Sequence, residues 1–187
     1  MNSKLQIISG KFRGRKLRLS DDARPTQNRA REALFNMLSS GILEPDKKYC
    51  AWDAFAGSGA LGIEFLSRYI NSEVVFTDVS DISINAIKKN LADLGVENVA
   101  TVKKCDALEL VSKYLQEIDV VFLDPPYDKA HLGKIFLEKT EKIGKVGILV
   151  VWEQEASSFV LPSDKWAILR DKTYGRARFL IIQLKNK

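Results

Sequence analysis

Cysteine and histidine are scarce in this sequence, and their scarcity excludes several kinds of site. Cys50 and Cys105 are the only cysteines among 187 residues, and both stand in apolar runs that look like strands. We therefore expect two buried thiols in a reducing cytoplasm, with neither a disulfide nor a metal site. His131 is the only histidine, which excludes His-dependent catalytic triads and metal sites that need several histidines. We expect His131 to lie on the surface of a helix.

Long apolar runs are also absent, which excludes a membrane-spanning helix. No stretch approaches the roughly 18 continuous apolar residues of a membrane span. Residues 5–8 are too short an apolar stretch for a secretory signal. The composition, 45% hydrophobic and 28% charged, is that of a soluble globular protein whose length supports one core with a small appendage. We expect a cytoplasmic protein with no membrane partner.

Positive charge is concentrated at the N-terminus. The chain has a formal net charge of +5, yet residues 1–32 alone carry nine basic and three acidic residues. The remainder is therefore close to neutral. The nine basic residues are Lys4, Lys11, Arg13, Arg15, Lys16, Arg18, Arg24, Arg29 and Arg31. Clustered Arg and Lys are typical of phosphate binding, although a solvated basic face without a partner has the same composition.

The N-terminal region predicts short strands followed by one helix. Residues 5–19 alternate short apolar pieces with basic residues and glycines, which predicts one or two short strands around a turn. Thr26 is the expected N-cap of a helix that stops at Gly41. The apolar stripe of that helix consists of Ala30, Ala33, Leu34, Met37 and Leu38. Arg29, Arg31 and Glu32 fall off the stripe, so we expect the arginines to face outward.

The remainder of the chain, residues 42–187, predicts an α/β domain. Strand-like and helix-like runs alternate, and the strands cover residues 50–55, 73–78, 99–105, 119–123 and 146–152. This alternation favours a mostly parallel, doubly wound sheet covered by helices. Two further strand-like runs, residues 166–170 and 178–184, leave no room for a helix between them and predict an antiparallel pair at one edge. We predict that residues 1–41 form a basic extension packed on this domain.

The tetrapeptide Asp124-Pro125-Pro126-Tyr127 follows the fourth predicted strand. Two successive prolines cannot continue a strand ladder, so the chain leaves the sheet in a rigid turn. That turn places a carboxylate, a proline carbonyl and an aromatic ring at the edge where open α/β sheets bind ligands. The oxygens can accept hydrogen bonds from an exocyclic amine, and the ring can stack on a flat heterocycle. This favours chemistry on the amino group of a nucleobase, although the tetrapeptide alone also fits a turn that merely ends a strand.

A glycine-rich turn follows the first predicted strand and contains Gly57, Gly59 and Gly62. Glycines let the backbone turn sharply and approach a ligand closely, with the amides of a helix N-terminus behind it. The spacing matches the dinucleotide fingerprint, and Asp78 suits the ribose-binding carboxylate of that motif. The turn therefore does not by itself separate a nicotinamide enzyme from one that uses S-adenosylmethionine.

Four aspartates help to separate these two cofactors. Asp53, Asp78, Asp106 and Asp124 stand at the ends of the first four predicted strands. Asp53 precedes the glycines, where it would repel a pyrophosphate but attract an ammonium group. Asp106 is placed to accept a hydrogen bond from an adenine amine. Such an acidic edge favours a cationic ligand over pyrophosphate, although each aspartate alone also suits a helix N-cap or a turn.

These motifs, together with residues near both ends of the chain, resemble a known family. Asp53-x-Phe55-x-Gly57-Ser58-Gly59-x-Leu61-Gly62-x-Glu64 resembles motif I of Rossmann-like class I methyltransferases, and residues 124–127 resemble their amino-methylating motif IV. The more specific part is Arg24-Pro25-Thr26, then Arg29-x-Arg31-Glu32-x-Leu34-Phe35-Asn36, with Tyr174-Gly175 near the end. It resembles the RsmD family, which methylates guanine N2 in bacterial 16S ribosomal RNA. The resemblance covers residues 7–184, with Asp78 where many relatives have the longer Glu.

The resemblance implies a cofactor, a partner and site residues. The implied cofactor is S-adenosylmethionine, and the implied partner is 16S ribosomal RNA in an assembling small subunit, bound by a monomer. The cofactor-binding residues are then Asp53, Phe55, Ala56, Gly57, Ser58, Gly59, Asp78, Val79, Asp106 and Ala107, and the catalytic ones are Asp124, Pro125, Pro126 and Tyr127. RNA would be bound by Lys11, Arg13, Arg15, Lys16, Arg24, Thr26, Arg29 and Arg31, and this surface could extend to Arg170, Lys172, Arg176 and Arg178.

Three other interpretations stay open. A methyltransferase of the same chemistry could act on adenine N6 in DNA, although 187 residues leave no room for a separate DNA-recognition domain. A nicotinamide-dependent oxidoreductase agrees with the glycine spacing but not with the aspartates. A noncatalytic RNA-binding module would need a degenerate pocket, whereas motifs I and IV are intact.

Overall fold

A seven-stranded sheet forms the centre of the protein in a computed structural model that describes residues 5–18 and 28–186. The strands are β1 (Cys50–Asp53), β2 (Glu73–Asp78), β3 (Ala100–Lys104), β4 (Val120–Leu123), β5 (Leu149–Glu155), β6 (Trp166–Tyr174) and β7 (Ala177–Leu184). Their order is β3-β2-β1-β4-β5-β7-β6. The first five are parallel, and β7 runs antiparallel to both β5 and β6. The predicted parallel sheet with an antiparallel C-terminal pair is confirmed.

Helices connect the parallel strands, as the alternating pattern predicts. The connecting helices are α2 (Ala60–Arg68), α3 (Asp81–Leu94), α4 (Ala107–Tyr114) and α5 (His131–Ile143), with short 3-10 turns at Glu97–Val99 and Tyr127–Lys129. A further helix, α1 (Asn28–Ser39), precedes the first strand. His131 is exposed at the start of α5, as expected. The two cysteines are free but only partly buried, so the expectation of buried thiols was wrong. Among the described residues, no helix is long and apolar enough to cross a membrane.

Two predicted strands have different ends in the structure. The first ends at Asp53 because the next backbone amides diverge, Ala54 donating to Phe122 on β4 and Ala56 donating to Thr77 on β2. The fifth begins after Gly147, whose positive φ of 83° makes a turn, and it continues to Glu155. Its last three residues are polar, but they pair with β7, which extends the strand beyond its apolar run.

Apolar side chains cover both faces of the sheet. One face packs Phe65, Phe76 and Phe122 with residues of α1, whose Phe35 ring centroid lies 5.7 Å from that of Phe122. The other face packs tryptophans and residues of α4 and α5, including Trp52 and Trp152. Because α1 contributes fully buried residues to the first core, it is held by hydrophobic contact with the sheet.

Residues 5–18 form a basic loop that lies against α2. A single antiparallel bridge joins Gln6 and Lys16, in place of the one or two short strands that were predicted around a turn. Lys11 donates its backbone N–H to the carbonyl of Ser67 at 2.8 Å. A Cβ on Gly10 would lie 2.0 Å from that same carbonyl oxygen, so only glycine permits this close contact. The division of the chain at residue 41 stays a prediction.

Candidate active site

A cavity of about 660 Å³ opens at the carboxyl ends of the parallel strands. It lies where the strand order reverses: the chain passes from β1 through β2 to β3 on one side, and then crosses back to β4 on the other side of β1. Ligands bind at such switch points in open α/β sheets. All four strand-end aspartates line the cavity, together with Pro125, Pro126 and Tyr127 and with every predicted cofactor-binding residue except Gly59.

Gly59 and Gly62 support the glycine-rich turn from behind. Gly59 has a φ of 79°, and a Cβ on it would lie 3.2 to 3.4 Å from side chains of α2, α3 and β2. A Cβ on Gly62 would lie only 2.3 Å from the Phe76 ring. Gly57 also has a positive φ, of 53°, but a Cβ there would meet nothing within 4 Å. Glycine is therefore needed at position 57 for its positive φ at the cavity wall. At positions 59 and 62 the lack of a side chain lets the start of α2 pack closely against β2 and α3.

Asp53 is held at the base of the cavity, behind the N-terminus of α2. The residue is 2% exposed, and its Oδ2 accepts a hydrogen bond from the Gly62 backbone at 2.9 Å. Burial, together with the nearby charges of Asp124 and Asp78, raises the pKa of this carboxyl to about 7, although the hydrogen bond from the Gly62 N–H opposes the shift. A cationic group in the cavity would favour the charged form. The geometry is compatible with the predicted contact to an ammonium group, which stays a prediction.

Asp78 and Asp106 are oriented by backbone amides. The two oxygens of Asp78 accept from Gly57 and Ser80, each at 2.8 Å, which ties the glycine-rich turn to the end of β2. Asp106 is the N-cap of α4 and accepts from Leu108 at 2.8 Å. Carboxylate oxygens have further lone pairs, so both side chains can still accept hydrogen bonds from a ligand.

The turn after β4 places Tyr127 at the cavity. Pro126 has an extended conformation, with φ −53° and ψ 139°, and Tyr127 begins a 3-10 turn closed by a bond from the Lys129 N–H to the Pro126 carbonyl at 2.8 Å. The Tyr127 hydroxyl donates to Glu153 Oε1 at 3.2 Å. The proline pair thus ends the strand, as the sequence predicts, and it fixes the position of the backbone from which the Tyr127 side chain extends.

Glu153 is a cavity residue that the sequence analysis missed. It lies on β5 and is 6% exposed. Burial and the charge of Asp124 together raise the pKa of this carboxyl to about 9, although the hydrogen bond from Tyr127 opposes the rise. A sequence signal was available, since Glu153 directly follows the apolar run of β5. The polar residues that follow it, Gln154 and Glu155, instead favoured a loop beginning after residue 152.

Arg31 was predicted to face outward and to bind RNA, and the structure contradicts the outward orientation. Its side chain is fully buried, its Nη2 donates to the Gln6 carbonyl and to Asn28 Oδ1, and its Nε lies 3.7 Å from Glu64 Oε2. Burial lowers the pKa of the guanidinium, the charge of Arg68 lowers it further, and Glu64 opposes the shift. The expected exposure was wrong because the residue 5–18 loop covers the side of α1 that helical periodicity assigns to solvent.

The other described N-terminal basic residues lie on the surface. Lys11, Arg13, Arg15, Lys16 and Arg29 are all exposed, and Arg15 donates to the Asp93 carbonyl at 2.7 Å. Arg24 and Thr26 lie outside the described residues.

Three C-terminal arginines of the predicted RNA-binding surface make ion pairs or hydrogen bonds within the protein. Arg178 pairs with Asp171 through bonds of 2.8 and 2.6 Å. Arg176 lines the cavity and pairs with Glu155 at 2.6 Å. Arg170 donates to the Ser40 carbonyl at 3.3 Å.

Comparisons with known proteins identify the family of this chain. The family model described as Conserved hypothetical protein 95 matches residues 5–183. Ribosomal RNA small subunit methyltransferase D of Escherichia coli (strain K12) is 32% identical over 97% of this chain and 91% of its own length. The Haemophilus influenzae protein of the same name is 33% identical over 96% of this chain and 93% of its own length.

Solved structures give the same result. One from Escherichia coli is 31% identical, covers 98% of this chain and 99% of that chain, and has a TM-score of 0.82. An RNA methyltransferase from Salinibacter ruber, in complex with S-adenosyl-L-homocysteine, is 16% identical with a TM-score of 0.67 and shares the fold. The predicted Rossmann-like class I methyltransferase fold is confirmed. The chain belongs to the RsmD family of small-subunit ribosomal RNA methyltransferases.

Proposed function

We propose that this protein methylates the exocyclic N2 amine of a guanine in bacterial 16S ribosomal RNA. The observation that carries the proposal is one cavity that holds both the glycine-rich turn with its aspartates and the Asp124–Tyr127 turn. The first set suits a cofactor, the second suits the amino group of a base, and both line the same space. The names of the relatives support an RNA of the small ribosomal subunit as the substrate.

The methyl donor is S-adenosylmethionine, and the residues of the cavity fit it. When bound, this cofactor supplies an electrophilic methyl group on a positively charged sulfur. Asp53, Asp78 and Asp106 line its part of the cavity as acceptors, which suits the ammonium, ribose hydroxyl and adenine amine groups of the donor. The acidic lining disfavours the pyrophosphate of a nicotinamide dinucleotide.

The Asp124–Tyr127 turn would hold the base. The Asp124 carboxylate and the Pro125 carbonyl accept hydrogen bonds from the exocyclic amine, while the Tyr127 ring stacks on the base. Guanine presents N1–H and N2–H as adjacent donors, which match the two oxygens of one carboxylate. Adenine presents a donor beside an acceptor and matches less well.

Positioning and electrostatics then account for catalysis. The amine of guanine is conjugated with the ring and is a weak nucleophile, so acceptors that draw its lone pair out of conjugation increase its reactivity. No strong base is required. The amine becomes acidic only as the new N–C bond forms, and its proton then leaves to Asp124 or to solvent.

The exposed basic residues near the N-terminus would bind the surrounding phosphates. Arg29 and the basic residues of the 5–18 loop form the described part of this surface, whereas Arg31 does not belong to it. A base in a duplex must be flipped out at a cost of a few kcal/mol, roughly, and a loop base costs less. We propose that a cytoplasmic monomer acts on the RNA within an assembling small subunit.

Transfer of labelled methyl from S-adenosylmethionine tests the proposal. The substrates are small ribosomal subunits and free 16S RNA that lack the modification, with DNA as the comparison. We expect label in RNA, and we expect Asp124→Ala to abolish transfer while cofactor binding is kept. Label in DNA alone would favour the adenine-N6 alternative. Cofactor titration separates the oxidoreductase, which would bind a nicotinamide dinucleotide.

A further inference from the structure

Glu153 is a buried carboxyl in the cavity that the proposed function does not use. It lies on β5, directly opposite Phe179 of β7, and its neighbours on that strand pair include apolar core residues. An ionised carboxylate is expensive to bury, and a hydrophobic residue of similar volume would often be at least as stable in its place. Packing therefore does not explain why a carboxyl stands here.

The contacts of Glu153 point to Tyr127. The Tyr127 hydroxyl donates to Glu153 Oε1 at 3.2 Å across the cavity wall. The second oxygen, Oε2, is buried and has no hydrogen-bond partner among the described residues. The one hydrogen bond that the described residues give this carboxyl therefore connects β5 to the turn after β4.

Building on the function proposed above, we propose that Glu153 is a positioning residue that holds the Tyr127 ring, and through it the stacked guanine, in the orientation for methyl transfer. The ring is attached to a short 3-10 turn. The hydrogen bond to Glu153 holds the hydroxyl end of this ring at the cavity wall. A small misplacement of a bound base lowers the rate strongly, because transfer needs the amine in line with the methyl group.

The charge state of Glu153 suits this role. Burial and the charge of Asp124 raise its pKa to about 9, so the carboxyl is neutral at pH 7. A neutral acid can accept from Tyr127 without placing a second negative charge beside Asp124. Two further charged groups, Glu155 and Arg176, pair with each other at 2.6 Å. Raising the pH through about 9 would ionise Glu153. Ionisation would strengthen the hydrogen bond from Tyr127, but it would place a second negative charge beside Asp124, and this repulsion would displace the carboxylate that accepts from the base.

The test compares four variants at saturating cofactor, with kcat and KM for the RNA measured separately. Glu153→Leu and Tyr127→Phe each remove the hydrogen bond, and each should lower kcat about tenfold. Their double variant should be no worse than either single variant, because both remove the same interaction. Glu153→Gln keeps a neutral acceptor and should retain most of the wild-type kcat.

Gln154→Ala is the matched control for a loss of stability. Gln154 is equally buried on the same strand, and it makes two hydrogen bonds to the backbone of Val160, outside the cavity. We expect this variant to lose stability but to keep the wild-type kcat at a temperature where it is folded. Equal losses of kcat in Gln154→Ala and Glu153→Leu would reduce Glu153 to a structural role and overturn the proposal.

The pH profile adds a readout that packing would not change. The wild-type kcat should fall as the pH rises through about 9, and this fall should be absent in Glu153→Gln. An unchanged fall in Glu153→Gln, or a double variant whose loss is the product of the two single losses, would overturn the proposal. If the wild type labels a different nucleoside, the proposed function fails, but the same variants measured on that product still test the coupling of Glu153 to Tyr127.

Discussion

Replacing Arg31 with alanine tests whether this residue stabilises the fold or binds RNA. In the structure it connects α1, the 5–18 loop and α2, since it donates to the Gln6 carbonyl and approaches Glu64 at 3.7 Å. Glu64 is also fully buried. Breaking a buried ion pair by removing one partner costs about 3 to 5 kcal/mol.

The expected loss lies at the lower end of that range. Glu64 keeps the Arg68 Nε at 2.8 Å and the amides of Ile8 and Ser9 at 2.8 and 3.1 Å. We therefore expect Arg31→Ala to lower the free energy of unfolding by about 3 kcal/mol. Arg31→Met fills the space without a charge, and because Arg68 still balances Glu64, we expect it to cost only about 1 kcal/mol.

Arg29 is the matched control, two residues away on the exposed face of the same helix. We expect Arg29→Ala to change the free energy of unfolding by less than about 0.5 kcal/mol and to weaken RNA binding, with a shallower dependence on salt. The assays are urea unfolding and RNA binding at several salt concentrations. An Arg31→Ala protein of wild-type stability that loses RNA affinity as Arg29→Ala does would refute this account and restore the prediction from sequence.

Two further predictions concern the cofactor side of the cavity. Gly62→Ala would place a Cβ 2.3 Å from the Phe76 ring, so we expect thermal or chemical unfolding to show a loss of about 1 to 3 kcal/mol; unchanged stability would mean that α2 shifts freely. Asp53 has its pKa raised to about 7, so it is mostly protonated at pH 6 and mostly charged at pH 8, and calorimetry should show S-adenosylmethionine binding more tightly at pH 8. Asp53→Asn should bind weakly at both pH values, whereas a pH dependence equal to that of the wild type would exclude Asp53 as its source.

The parts of the site that could be predicted from sequence are those that depend only on residues close together in the chain. The strand-end aspartates and the glycine-rich turn follow from apolar runs that end in Asp or Gly, because parallel strands bring their carboxyl ends to one edge. The turn at Pro125 and Pro126 follows from the loss of the backbone N–H, which ends a ladder wherever it occurs. These features need no knowledge of distant contacts.

The parts that could not be predicted depend on distant segments. Arg31 lies off the apolar stripe of α1, yet Gln6 and Glu64 surround it from segments 25 and 33 positions away in the chain. Glu153 belongs to a strand only because β7 pairs with it, and its environment is set by Asp124 and Tyr127. The periodicity of a helix or strand shows which of its faces is apolar, but it does not show which distant segment covers the opposite face.

The most direct test of the central claim is the identity of the nucleoside that receives the methyl group. RNA from small subunits treated with the wild-type protein and labelled S-adenosylmethionine would be digested to nucleosides, separated and compared with standards, with Asp124→Ala as the inactive control. We predict that the label is found in N2-methylguanosine and disappears in the variant. Label in a methylated adenosine, or at a ring nitrogen of guanine, would contradict the assignment of the Asp124–Tyr127 turn to the exocyclic amine of guanine.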